Sequence, residues 1–346
     1  MEQPTWATVV EVVIAVASIA LLVWLAVVRR GRGSLLPFEP RRPVPWGPGV
    51  GLIAAMFVVL NVLSVFAPQP LADAAQPEQL SSEAFVSMAV SGSIMQLILV
   101  VMGGASVVFA MNGDWRDLGL PRDLRQFAAD ARLGLLTALA AFAPVYGLQL
   151  LLIWALDWQP YHPTIEAMLA KPDWRVTAAA FLAAGVAAPV FEEFLYRLLF
   201  QGWLEKAEDE YLGLMPAALP LEEVSDAPSP QVDLVKDPNP YKASQVEPTG
   251  ANHSRRELSE DSLSAAKSGG WFSLPHGWSP VLTSSICFGL AHLTHGPAPV
   301  SLVVFAIFLG YVYQRTHRIV PCIAAHMAFN VFSLALVTAV GWSGAG

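Results

Sequence analysis

Eight stretches of the chain are apolar almost without interruption: approximately 7–28, 47–67, 85–111, 133–156, 176–201, 279–296, 299–315 and 320–342. A helix needs roughly 20 apolar residues to cross the hydrocarbon core of a bilayer. The pattern therefore predicts an all-α, polytopic transmembrane helix bundle of about eight spans. One segment breaks it. Residues 204–275 hold prolines from Pro216 to Pro248 and no sustained apolar periodicity. A chain of that composition cannot bury enough apolar surface to offset its ordering entropy, so it reads as a disordered insert. The organisation that follows is 1–132 for the N-terminal helices and a loop, 133–203 for the first part of a bundle, 204–275 for the insert, and 276–346 for the second part.

Composition agrees. Of the 346 residues 54% are hydrophobic and 14% charged, with a mean hydropathy of +0.49. A soluble domain carries nearer a quarter charged residues, so a soluble enzyme is excluded. The formal charge of −8 says little about function, because the insert alone contributes 13 acidic and 6 basic residues. Cys287 and Cys322 both sit in apolar runs and imply packing, not a disulfide framework. There is no nucleotide-binding loop, zinc-finger spacing or nucleic-acid-binding patch, so the expected partners are the bilayer and a membrane-associated peptide or protein.

Charge also predicts orientation. Basic residues fall in four places: Arg29 to Arg42, Arg116 to Arg132, Lys206 to Lys267, and Arg315 with Arg318. These groups hold five, four, six and two residues, seventeen of the twenty Lys and Arg. Positive charge stays inside, so the N-terminus is expected outside and the insert in the cytoplasm, in the plasma (inner) membrane of a bacterium. The first span follows Met1-Glu2 with no basic flank before it and reads as a retained anchor. His317, in the last basic turn, reads as solvated.

Ionisable residues inside spans cost a few kcal/mol each and mark function by default. The fifth span carries Glu192-Glu193-Phe194-Leu195-Tyr196-Arg197. Glu193 and Arg197 are four apart on one helical face and can neutralise each other. Glu192 points about 100° away, with Tyr196 on its own face and no basic neighbour. The pair reads as structural and Glu192 as functional. The bland alternative puts both acids snorkelling at a helix end. In the sixth span Phe288 and His292 share a face, with His295 nearer the end; in the eighth, His326 and Asn330 share one. Each alone could be polar glue between helices. Together they supply a base, water-holding groups and hydrogen-bond donors, an inventory suited to hydrolysing an amide.

At these residues the sequence resembles the CAAX-protease-and-bacteriocin-processing (CPBP, or ABI) family of intramembrane endopeptidases. Glu192-Glu193-x-x-x-Arg197, Phe288-x-x-x-His292 and His326-x-x-x-Asn330 stand in the family's order, each on its own span. The resemblance covers roughly 133–203 and 276–342. It implies that Glu192 and His292 hold and activate the attacking water. His326 and Asn330 then form the oxyanion site, supported by Glu193, Arg197 and Phe288. It leaves metal open: no cofactor is required, but Glu192, His292 and His326 could serve as zinc ligands. Two other classes stand beside it. A non-catalytic scaffold or bacteriocin-immunity protein would share the fold. A proton-coupled transporter would also bury ionisable residues, but should show repeat symmetry between halves, which this chain lacks.

Overall fold

The computed structural model describes residues 5–28, 30, 35–41, 43–65, 81–157, 162–170, 173–212, 277–293 and 296–343. The bulk of the acidic insert, and His295, lie outside the described residues. Among the described residues every regular element is helical: α1 (Thr5–Val28), α2 (Pro48–Val65), α3 (Ser82–Phe109), α4 (Leu124–Leu156), α5 (Pro163–Ala170), α6 (Trp174–Tyr211), α7 (Ser279–Leu290), α8 (Ala298–Thr316) and α9 (Ile319–Ser343).

Six of these, α1, α3, α4, α6, α8 and α9, are long and apolar enough to cross a membrane, against the eight read from the sequence. The protein is a multi-pass, all-α membrane protein, and the described residues confirm six full spans of the eight expected. The main difference lies at 279–296. There α7 stops at Leu290 after 12 residues, about 18 Å of helix against a core of about 30 Å. Gly296 then adopts a left-handed φ of 61° and Pro297 caps α8. So α7 and α8 form a tight hairpin, closed where a Cβ on Gly289 would sit 2.7 Å from the Pro299 carbonyl. Helix α2 is described only as far as Val65, and the rest of the stretch read as 47–67 lies outside the described residues.

Helix α6 departs from the expected 176–201 in the other direction. It runs on to Tyr211, so the first residues of the 204–275 segment, 204–211, are helical, where the sequence reads as an amphipathic start near Trp203 to Leu214. It also contains two π-helical stretches, Phe181–Ala187 and Phe194–Gln201, on either side of Ala188–Glu193. Prolines inside helices release carbonyls that something else must satisfy. In α4, Pro144 cannot bond the carbonyl of Ala140, and Ser18 of α1 donates to it at 3.3 Å while accepting from Ala143 N–H at 3.0 Å. Helix α9 packs along α4 and against the middle of α6, which brings the polar residues of α9 and α6 face to face.

Residues from several helix ends and connecting segments meet at one end of the bundle. Arg41 pairs with Glu205 at 2.9 Å, Arg318 pairs with Glu39 at 2.9 Å and also with Asp130, and Glu208 accepts from the Gly277 amide at 2.9 Å. His317 is not the solvated residue the sequence suggested. It is buried in this cluster, with Nε2 3.2 Å from Glu205 and Nδ1 donating to the Glu39 carbonyl at 2.7 Å.

Burial first, and then the Arg41 charge, lower the pKa of His317, against the opposing pull of Glu205. Unfolded, the ring titrates near about 6.5. Between the two values the unfolded chain binds the extra proton, so the His317 contribution to stability is present above about 6.5 and is lost as pH falls. The thermal unfolding temperature in detergent is expected to drop as pH is lowered through that region. His317→Gln should flatten the drop; an unchanged slope would show that other groups control it.

Candidate active site

Three helices and a turn carry the polar residues picked out in the sequence, and the packing brings them together. Glu192 and Glu193 sit at the end of the α-helical stretch of α6, between its two π segments; such register changes recur at functional sites. Glu193 is fully buried and pairs with Arg197 Nε at 3.2 Å, as the i,i+4 spacing required. Arg197 also donates to Ser284 of α7 at 3.0 Å and to Gln201 at 3.4 Å. Gln201 donates to Glu205 at 3.0 Å and to the Gly310 carbonyl of α8 at 2.9 Å. Glu193, Arg197, Gln201 and Glu205 thus form a buried ladder on one face of α6, leading from the site to the basic end.

Glu192 faces elsewhere. Its Oε2 lies 3.9 Å from Nε2 of His292 and 3.9 Å from Nε2 of His326. Its side chain is 18% exposed and that of His292 17%, whereas Glu193 and Arg197 are at 0%. His292 lies just beyond the last turn of α7, its Nδ1 donating to the Phe288 carbonyl at 2.7 Å. A carbonyl only accepts, so Nδ1 carries a proton and Nε2 is the nitrogen that faces Glu192. His326 is held at both ends: Nδ1 is 2.8 Å from Glu193 Oε1, and Nε2 faces Glu192. The rings of Phe288 and Phe305 meet it edge-on at 5.6 and 5.5 Å. Phe288 also packs on His292 at 4.9 Å, so it fixes both imidazoles.

Asn330 is placed differently from its two neighbours. It donates through Nδ2 to the Ala184 carbonyl at 2.8 Å. The backbone explains why. In the first π stretch Ala188 N–H bonds Ala183, five residues back. That register assigns the Ala184 carbonyl to residue 189, which is a proline and has no N–H. The Asn330 amide satisfies the orphaned oxygen, leaving its second N–H for other use. Asn330→Ala is therefore expected to cost stability as well as activity, about 1–3 kcal/mol for an unsatisfied buried acceptor. Thermal unfolding of the variant in detergent checks this, and an unchanged midpoint would contradict the assigned bond.

The sequence did not point to two further groups. The first is the extension of the polar ladder through Gln201 and Glu205 toward the basic end. The second is His162, in the segment before α5, whose pKa is lowered to about 4 by burial first and then by the charge of His292. The segment carrying it gave no periodic signal.

The fit to zinc can be tested on these distances. Ligands about 2.0–2.1 Å from a tetrahedral zinc lie about 3.3 Å from one another. The 3.9 Å separations are wider, and no group of three or more His, Cys, Asp or Glu among the described residues is placed to hold a metal ion. As arranged, the three side chains do not fit zinc. Each 3.9 Å separation is one that a water about 2.8 Å from both atoms would bridge.

Residues 263–332 match the family described as type II CAAX prenyl endopeptidase, Rce1-like. The matched stretch includes Phe288, His292, His326 and Asn330, and Glu192, Glu193 and Arg197 lie before it. It supports the CAAX-protease family to which the three motifs pointed. Comparison with curated proteins and with solved structures gave no match.

Proposed function

From this family likeness, which supports a CAAX-protease-like function within the membrane, we propose that the protein is an intramembrane endopeptidase. Its substrate is a membrane-associated protein or peptide, and its nucleophile is a water held by Glu192 and His292. The observation that carries the reading is the convergence of two imidazole Nε2 atoms on one carboxylate oxygen, each at 3.9 Å. Glu192 takes a proton from the water as its oxygen adds to the scissile carbonyl. The His292 Nε2 lone pair accepts the water's other hydrogen and aims its remaining electrons at the carbon. His326 and the second N–H of Asn330 supply donors for the oxyanion. Glu193 and Arg197 neutralise each other and hold His326 in place. In the orientation set by the positive-inside pattern, the basic end lies in the cytoplasm.

The test uses the purified full chain in proteoliposomes. It is offered an S-farnesylated peptide ending in a CAAX-type tetrapeptide, and the same peptide without the lipid. We expect release of the C-terminal tripeptide, read by mass spectrometry. Cleavage of neither peptide by folded protein would overturn the reading; cleavage of both equally would remove the prenyl group from the substrate description.

A further inference from the structure

The stretch from Asp114 to Arg132 holds four aspartates and four arginines and is neutral in sum. The fold separates the two signs. Asp117 and Asp130 are buried, Asp130 against Arg318. The carboxylates are also taken up by backbone amides. Asp117 accepts from Asp114 N–H at 2.7 Å, Asp114 from Arg116 N–H at 3.2 Å, and Asp123 caps α4 by accepting from Gln126 N–H at 2.7 Å. Arg116, Arg122, Arg125 and Arg132 are all exposed, and among the described residues none of their side chains forms an ion pair. We propose that these four arginines are a binding surface for the phosphates of anionic phospholipids, in the leaflet at the end of the bundle where Arg41 and Arg318 are paired.

Two observations put the surface at the membrane and not in open water. Trp115, Leu120, Leu124 and Phe127 are exposed beside the arginines, Leu124 at 85%, and Trp115 meets Phe109 at the end of α3 edge-on at 6.4 Å. Exposed aromatic and apolar groups interleaved with basic ones suit the layer between headgroups and acyl chains. The second observation is length. Helix α4 has 33 residues, about 50 Å at 1.5 Å each, against a hydrocarbon core of about 30 Å. Its unbroken apolar run begins only at residue 133, so Leu124–Arg132 stands at headgroup level. Arg125 and Arg132, seven residues apart, share one face about 10 Å apart along the axis.

The surface is built on a fixed loop. Leu118 is buried in the core, Ile319 N–H donates to the Gly119 carbonyl at 3.1 Å, and Gly119 has a left-handed φ of 63°. A Cβ there would meet the His317 carbonyl at 2.7 Å. All four cations are arginine, whose planar fork takes two phosphate oxygens at once. A soluble anion would satisfy the arginines and leave the apolar neighbours in water; a lipid covers both.

The test titrates the purified full chain in detergent with phosphatidylglycerol or with phosphatidylcholine of the same acyl chains, and counts bound lipid by native mass spectrometry. Cleavage is not the readout, so the outcome is independent of the peptidase reading. Near a charged membrane surface one basic residue is worth about fivefold in binding. Wild type is expected to prefer phosphatidylglycerol. Each single Arg→Gln variant should lose about fivefold on it and the quadruple variant on the order of 10²-fold, with phosphatidylcholine unchanged. Arg175→Gln, at the other end of α6, should lose nothing. If the quadruple variant does not fold, the four single ones decide by the same measure. A wild type with no preference, as would follow if another part of the chain covered the arginines, overturns the proposal. So does undiminished phosphatidylglycerol binding by the variants, or an equal loss in Arg175→Gln. Displacement of the lipid by an equal concentration of glycerol phosphate would overturn its assignment to a lipid.

Discussion

Glu192→Gln is expected to abolish peptide cleavage while the protein still folds. The substitution keeps the shape of the side chain and removes the carboxylate proposed to take a proton from water. Glu192 lies at 3.9 Å from both imidazoles and is partly exposed, so an amide there breaks no ion pair in direct contact. Losing a positioned base costs about 10²–10⁴-fold in rate. Turnover should fall at least that far in proteoliposomes, with the thermal unfolding midpoint close to wild type. An active, folded Glu192→Gln protein would remove Glu192 from the mechanism.

Glu193→Ala should do the reverse, acting first on stability. Glu193 and Arg197 are both fully buried, and Glu193 also accepts from His326 Nδ1. Removing one partner of a buried pair leaves an uncompensated charge, at a cost of about 3–5 kcal/mol. Arg197 would retain Ser284 and Gln201, neither of which carries charge. We expect a large drop in unfolding midpoint and in yield of folded protein, with activity lost through the displacement of His326. A midpoint within a degree or two of wild type would show that Arg197 finds another counter-charge. The two adjacent glutamates thus separate, one by rate and the other by stability.

How far this was legible in the sequence differs from residue to residue. Spacing alone gave the Glu193–Arg197 pair, because four residues on a helix fix a shared face. The same rule could have extended the ladder to Gln201 and Glu205, which continue the interval, had the span not been ended near 201 on hydropathy. The contact of Asn330 with Ala184 was out of reach, since it depends on a π register that periodicity at 3.6 does not encode. Pro189 was the one visible sign of it. The shortness of α7 was also hidden: 279–296 is largely apolar, yet the helix ends at Leu290 and the chain turns into α8 by Gly296 and Pro297. His317 was misread because its burial comes from Glu39 and Glu205, which are distant in sequence and gathered only by the fold. Charge pattern, by contrast, put Arg41 and Arg318 on one side, and both find their carboxylate partners in one cluster.

The central claim is that a water held by Glu192 attacks the scissile carbonyl. Cleavage of the farnesylated peptide in water enriched in ¹⁸O, followed by mass spectrometry of both fragments, tests it most directly. The account predicts one ¹⁸O atom in the new carboxylate of the lipid-bearing fragment and none in the released tripeptide. It also predicts no product from Glu192→Gln run beside it. Cleavage without the label, or equal labelled cleavage by Glu192→Gln, would contradict it.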